Sequence, residues 1–407
     1  MRVLFCSRRF FPAISGMSVY ALNLLRELVA AGHDVTMVSQ YRADEAGTRV
    51  YGGGPPPEVP GVRVLGRRAV GEEQPVADFH RDVADMTATI LAEHRRQPFD
   101  ILHAQYAYPN GWAALLAARE IGLPTVVSIQ GGDGHWVGSC CETHRTAMLE
   151  VLHKADALLI GCDSFAQEVV ERLGIPRERF TIVPGAVEVA RFTPHQPLGA
   201  AADPPRLLYH GRVDRRKGAL DFLQALALLQ AQSVRFEAIV SGIGPDLDTA
   251  RLLARKFGGA VRFTGYAEYD TVPKVYTMGD IFVSPTYAEG FSNTVLEAMA
   301  SGLPVVSCRA VGVMDCLRDG ENGLLVEPGD FPALAAALRR AIEDPDLRAR
   351  LAIAALEECR CTYSWPAVAR QVMEIYEELR GAAPRGRVEP SLPEDLSCRF
   401  LAAPHLL

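Results

Sequence analysis

Short continuous apolar runs alternate with longer stretches whose apolar residues recur at helical spacing. Residues 2–7 read as a buried strand, and residues 17–31 read as a helix with Leu22, Leu25, Leu28 and Val29 on its apolar side. Gly32 ends that helix, and residues 35–39 make the next strand. The alternation continues with strands at 62–65, 100–103, 125–129 and 157–160, and helices at 78–95, around 111–121 and at 145–155. It restarts at residue 206, with strand-like runs at 206–209, 237–241, 261–264, 281–284, 304–307 and 323–326 and helices between them. Repeated β-loop-α-β units predict an α/β chain with two doubly wound parallel sheets.

Gly- and Pro-bearing residues 184–197 and the Ala/Pro-rich patch 198–205 read as a linker. The expected domains are 1–190 and 205–364, followed by a last strong helix at 365–380. Residues 381–407, Pro-rich with mixed charge, read as a poorly ordered tail whose apolar end (Phe400, Leu401, Leu406, Leu407) could dock. Residues 42–75 hold Gly52-Gly53-Gly54-Pro55-Pro56-Pro57 and read as a long surface loop around one strand.

Composition adds limits. A chain of 407 residues exceeds one ordinary core, and a net charge of −7 argues against a nucleic-acid partner. Nine scattered cysteines suggest reduced thiols and a cytoplasmic setting. No run is long and apolar enough to span a bilayer. Ser7-Arg8-Arg9-Phe10-Phe11 looks like a twin-arginine export signal, but Arg26 and Glu27 follow on an amphipathic pattern without a cleavable apolar core, so no export is expected.

Candidate chemistry concentrates at 284–302, SPTYAEGFSNTVLEAMASG. A strand feeds a loop with Pro285 and Gly290, then a helix starting at Ser292 or Asn293, whose first-turn N–H groups (Asn293, Thr294, Val295) suit a phosphate. Glu289 in the loop and Glu297 one turn into the helix flank that start with seven residues between them. Carboxylates there need hydroxyl donors, as a sugar nucleotide supplies. The segment Glu289-Gly290-Phe291 followed by residues 296–306 resembles the signature of the retaining glycosyltransferases of family 4, which have the GT-B fold. His210-Gly211-Arg212, with Lys217-Gly218 following, is similar to that family's "G-R-x-x-x-K-G" motif, placed after the first strand of the second domain. The loop before the first helix has Ser15-Gly16 where the family has two glycines; it is not G-x-G-x-x-G, which counts against a nicotinamide or flavin enzyme.

The resemblance implies two Rossmann-like domains facing a cleft, with the 365–380 helix returning to the first. It implies retaining, metal-independent transfer of a sugar from a nucleoside diphosphate to an acceptor hydroxyl. Arg212 and Lys217 would neutralise the departing diphosphate, and Glu289 would hold sugar hydroxyls. Gly16, Gly242, Gly290, Phe291, Ser292, Asn293 and Thr294 would contact the donor, Tyr266 and Ala267 its base, and Glu297 its ribose. No cofactor is implied. The co-substrate is expected to be a UDP-sugar, although base recognition through the backbone leaves uridine and guanosine undistinguished.

The acceptor side departs from the pattern. Gln130 stands where a histidine is usual and would act by hydrogen bonding; His103 is single where two are common; and Gly185-Ala186-Val187-Glu188 replaces Asn-Gly-Val-Asp. Tyr106, Gln130, Asp133 and His135 are the acceptor-side candidates, for a sugar, lipid-linked or small-molecule acceptor. Cys140-Cys141 with His144 could suggest zinc, but adjacent cysteines are poor tetrahedral partners and no second pair has finger spacing, so no metal is expected. Asp246-Leu247-Asp248 and Asp344-Pro345-Asp346 read as helix starts. Arg67-Arg68 and Arg95-Arg96 could contact anionic lipid at the membrane's inner face. The alternatives are a sugar-nucleotide-binding protein with weak or no catalysis, and a glycan phosphorylase-like enzyme.

Overall fold

Among the described residues, thirteen strands form two sheets, and every strand pair within them is parallel. The structure, a computed structural model, describes residues 1–13, 15–45, 53–131, 137–385 and 391–404. Contacts divide the chain into one unit of Met1–Pro184 with Val368–Leu407 and a second of Gly185–Ala367.

The first sheet contains β1 (Arg2–Ser7), β2 (Asp34–Tyr41), β3 (Val62–Arg68), β4 (Ile101–Gln105), β5 (Thr125–Ile129), β6 (Ala157–Ile160) and β7 (Phe180–Ile182). Its order is β3-β2-β1-β4-β5-β6-β7, so the direction of winding reverses between β1 and β4. Val3, Leu4, Phe5, Leu102, Val126 and Val127 are fully buried, as strands covered on both faces require. The helix Gly16–Ala30 is capped by Ser15, whose Oγ accepts from Ser18 N at 3.3 Å. It ends at Gly32, which has φ +83°. β7 and the helix Asp163–Leu173 lie beyond the elements read from the sequence.

The helix Trp365–Leu379 ends in the first unit. There Tyr376 is fully buried and its hydroxyl lies 2.5 Å from His103 Nδ1, while His103 Nε2 lies 2.7 Å from Ser128 Oγ. Burial pushes the His103 imidazole down to about 3, so the ring is neutral at physiological pH. His103 therefore joins β4, β5 and the returning helix inside the core.

The disorder expected of the tail is corrected for residues 391–404, whereas the docking expected of its apolar end is seen at Phe400 and Leu401. Residues 391–404 lie on the first unit: Thr143 Oγ1 donates to Pro393 O at 2.7 Å, Ala77 N to Leu401 O at 2.8 Å and an Arg8 guanidinium N–H to Pro404 O at 2.8 Å. Phe400 is 3% exposed, and this apolar anchor outweighs the Pro-rich, charged composition that suggested disorder.

The second sheet contains β8 (Arg206–His210), β9 (Glu237–Ser241), β10 (Val261–Gly265), β11 (Ile281–Ser284), β12 (Val305–Cys308) and β13 (Leu324–Val326), in the order β10-β9-β8-β11-β12-β13. Its winding reverses between β8 and β11. The expected linker 184–205 is also corrected, because Val187 and Phe192 are buried in this unit's core and Phe192 meets Tyr276 edge-on with centroids 5.6 Å apart. Two large apolar side chains in a Gly/Pro-bearing stretch turn it into a packed strap.

Candidate active site

An open parallel sheet binds ligands outside the carboxyl ends of its strands, where the winding reverses. In the second unit that point lies between β8 and β11, and the loops leaving these two strands carry Arg212, Lys217 and Glu289. Asp214, 4% exposed, organises the first loop. Its carboxylate accepts from Lys217 N at 2.8 Å and lies 3.2 Å from Arg212 Nε and 3.6 Å from an Arg216 terminal nitrogen. The Tyr209 hydroxyl donates to Arg212 O at 2.7 Å, fixing the backbone beneath the guanidinium.

The two loops touch through backbone. Tyr287 N donates to Arg216 O at 2.9 Å. Gly218 has φ +70°, and a Cβ there would lie 1.9 Å from Pro285 O. This closeness lets Lys217 Nζ reach Glu289 Oε2 at 2.5 Å, while Thr286 Oγ1 lies 3.3 Å from Glu289 Oε1. Gly218→Ala is expected to lower stability by on the order of 3 kcal/mol, since it meets both a left-handed φ and a backbone clash; urea denaturation measures it, and a loss below about 0.5 kcal/mol would show that the loops part easily.

The neighbouring strand ends close around the same point. Gly242 N donates to Gly265 O at 2.7 Å, and a Cβ on Gly242 would lie 1.9 Å from Gly211 O. Tyr266, half exposed, and Ala267 follow at the end of β10. From the other side, Glu289 N donates to Val311 O at 2.9 Å.

Ser292 N donates to Gly312 O at 3.2 Å. The N–H groups of Asn293 and Thr294, in the first turn of the helix Asn293–Ala300, have no intrahelical acceptor.

Glu297 is half-buried and accepts from the Tyr276 hydroxyl at 2.6 Å. Burial pushes its carboxyl up to about 7; the Tyr276 hydrogen bond and Arg191 pull it down, and Glu188 adds to the rise. Glu188 accepts from the Tyr269 hydroxyl at 2.6 Å and pairs with Arg191 at 3.1 Å, and that guanidinium lies 4.2 Å from the Tyr269 ring centroid. A Cβ on Gly185 would lie 2.7 Å from Phe291 Cδ1 and 2.8 Å from Asn293 Oδ1. The Gly185–Glu188 departure thus belongs beside the Glu289–Glu297 segment, in the second unit. Sequence reasoning missed Asp214, Tyr276, Arg191 and Gly312. Only Asp214 carried a signal, an Asp three residues before the N–H it caps.

In the first unit the winding reverses between β1 and β4. Ser7 Oγ donates to Gln105 Oε1 at 3.1 Å, and Gln105 Nε2 donates to Met17 O at 3.1 Å, beside Gly16. Tyr106 follows β4 with φ +78°, and half-buried Gln130 follows β5. Asp133 and His135 lie outside the described residues. Asp344 caps its helix by accepting from Leu347 N at 2.8 Å, whereas the Asp246 carboxylate turns to Arg215 N at 2.9 Å.

Each of the two units carries a parallel doubly wound sheet, and the family models place them. Residues 15–186 match the glycosyl transferase 4-like domain, and residues 191–358 match the glycosyl transferases group 1 model. The chain belongs to the family 4 type of glycosyltransferases, with the GT-B fold.

The glycogen synthase of Mycobacterium tuberculosis (strain ATCC 25618 / H37Rv) is 28% identical, covering 96% of this chain and 97% of that protein. The D-inositol 3-phosphate glycosyltransferase of Corynebacterium jeikeium (strain K411) is also 28% identical, over 92% and 94%. Among solved structures, sucrose-phosphate synthase from Thermosynechococcus elongatus superposes with a TM-score of 0.75 at 22% identity, covering 93% of this chain and 98% of that one. Anabaena HepE in complex with UDP-glucose superposes with a TM-score of 0.70 at 18% identity, over 93% and 100%. At these identities the structural likeness speaks for the fold. No helix among the described residues is long and apolar enough to cross a membrane.

Proposed function

We propose that the protein transfers a sugar from a UDP-sugar to an acceptor hydroxyl with retention of anomeric configuration. The observation that carries this reading is the convergence of Arg212, Lys217 and Glu289 at the β8/β11 reversal. The bond between the anomeric carbon and the diphosphate oxygen breaks, the acceptor oxygen bonds that carbon from the same face, and the acceptor proton passes to the departing diphosphate. Arg212 and Lys217 stabilise the charge that grows on the leaving oxygen, which makes a metal ion unnecessary for that task. Lys217 exchanges part of its contact with Glu289 for the diphosphate, leaving Glu289 to accept from sugar hydroxyls. The Asn293 and Thr294 N–H groups meet phosphate oxygens.

Support for a UDP-sugar comes from the family and from the HepE complex with UDP-glucose. The test is a panel of UDP- and GDP-sugars, read by thermal shift and by transfer to sugar, lipid-linked and small-molecule acceptors, with product stereochemistry determined by NMR. Inverted product would overturn the mechanism, and donor binding without transfer to any acceptor would select a binding protein instead.

Glu297 provides a pH signature. Ribose hydroxyls donating to its carboxylate draw its pKa below about 7, so donor binding releases a proton. Donor affinity is expected to rise as pH climbs from 6 to 7, by up to about tenfold per unit, and to level off above. Glu297→Gln should flatten that profile in calorimetric titrations.

A further inference from the structure

The loop and helix start near residue 140 and the carboxyl-terminal tail, distant in sequence, bring four potential metal ligands together. Cys140, Cys141, His144 and Cys398 place one ligand atom each within 4.8 Å of all the others. Cys140 Sγ is 3.9 Å from Cys141 Sγ and 3.1 Å from His144 Nδ1, and Cys398 Sγ is 3.7 Å from the same nitrogen. In a tetrahedral zinc site, bonds of about 2.3 Å to sulfur and 2.0–2.1 Å to nitrogen put two sulfurs about 3.8 Å apart and a sulfur and a nitrogen about 3.6 Å apart. The 3.9 and 3.7 Å spacings are those of such a shell, and the 3.1 Å spacing between Cys140 Sγ and His144 Nδ1 would open by about 0.5 Å on binding.

We propose that Cys140, Cys141, His144 and Cys398 bind one zinc ion, in a closed Cys₃His site that fastens the carboxyl-terminal strap to the first unit. Three soft sulfurs and an imidazole select zinc over magnesium or calcium, which need oxygen ligands. Four protein ligands fill the tetrahedron, so the site is structural and leaves no position for substrate.

The surroundings suit a fixed ligand set. His144 and Cys398 are buried. The His144 ring is enclosed by Tyr108, Phe79 and Phe400 at centroid distances of 4.4, 5.3 and 6.4 Å. The ligands hold their places by other bonds. Cys141 caps the helix Glu142–Lys154, its Sγ accepting from His144 N at 3.4 Å, and Glu142 N donates to Asp395 Oδ2 at 2.9 Å, three residues before Cys398. Polar anchors at Pro393 and Leu401 bracket Cys398 on the strap. The sequence pointed to Cys140, Cys141 and His144 but set zinc aside for want of a further ligand at finger spacing and because the two cysteines are adjacent; Cys398, 254 positions from His144, is the ligand that spacing hid. The proposal is independent of the sugar-transfer reading.

The test uses the reduced full-length chain, stripped with a chelator and titrated with zinc chloride alone against a chromophoric competitor. One zinc per chain is expected. Cobalt(II) in its place should give the intense visible bands of a tetrahedral thiolate site. Cys398→Ser should weaken zinc binding about 100-fold or more, while Cys361→Ser, an exposed cysteine outside the cluster, should leave it unchanged. Because the Cys398 variant could misfold, limited proteolysis of the wild-type chain gives a second readout. Chelation should expose residues 391–404 to cleavage, and added zinc should restore protection. Absence of metal binding by the reduced wild-type chain, octahedral cobalt bands, or a disulfide mapped to Cys398 in a chain that binds no zinc would overturn the proposal.

Discussion

Lys217→Ala is expected to lower kcat by about 10²- to 10³-fold while changing donor affinity far less, the size seen when one preorganised donor to a developing oxyanion is removed. The charge on the bridging oxygen grows only as the bond to the sugar breaks, so the ammonium is worth most in the transition state. Lys217 is placed for this by the Asp214 carboxylate holding its backbone N–H at 2.8 Å and by Gly218, whose bare Cα admits Pro285 O. Lys217→Arg should recover little, because a planar fork does not fit the space of a compact ammonium. Arg212→Ala should behave like Lys217→Ala, and Glu289→Gln should mainly affect the choice among sugars. Steady-state kinetics with donor titrations, on variants whose melting temperatures stay near wild type, separate these cases. Wild-type turnover by Lys217→Ala would sink the site assignment.

Glu72→Ala is expected to cost about 3–5 kcal/mol of stability. Glu72 and Arg8 are 2% and 3% exposed, the Arg8 Nε–Glu72 Oε1 distance is 2.8 Å, and nitrogens of Arg9 and Arg42 lie 3.7 and 3.9 Å from Glu72 Oε2. Burial raises the Glu72 carboxyl, but Arg8, Arg9 and Arg42 more than offset this and hold it below the ordinary carboxylate range. Its stabilisation is therefore present above the usual carboxylate pKa and lost as pH falls through the depressed folded-state value. Removing the carboxylate strands buried guanidinium groups at neutral pH. Denaturant melts at pH 7 and pH 4 should show the Glu72→Ala penalty shrinking in acid, and an equal penalty at both would mean packing, not charge, is lost.

These two cases differ in how far the sequence foretold them. Strands such as residues 2–7, 125–129, 157–160, 237–241 and 281–284 were legible to the residue because parallel strands covered on both faces need unbroken apolar runs. β7 was not, since its three residues include the exposed Thr181. Arg212, Lys217 and Glu289 were singled out by the resemblance to the family's motifs, and the structure brings Lys217 and Glu289 into contact. The ion pair at Arg8 did not. Ser7-Arg8-Arg9 stood out only for a likeness to an export signal that its context dismisses, and nothing local points to a Glu at position 72. Tyr276 beside Glu297 and Cys398 beside His144 are likewise long-range meetings that no periodicity encodes. Val187 and Phe192 show the reverse error, where Gly and Pro suggested a linker but two apolar side chains decided the packing.

The bridge between Val187 and Ser364, with Val187 N donating to Tyr363 O at 2.9 Å, sets the beginning and end of the second unit side by side. In construction terms that unit is a cassette: residues 185–367 leave and re-enter the rest of the chain at neighbouring points. It is a natural candidate for expression on its own, or for exchange with a relative's. The first unit has no such freedom. A fragment ending at residue 184 would lack Tyr376, the partner buried against His103, and would open its core where the returning helix belongs.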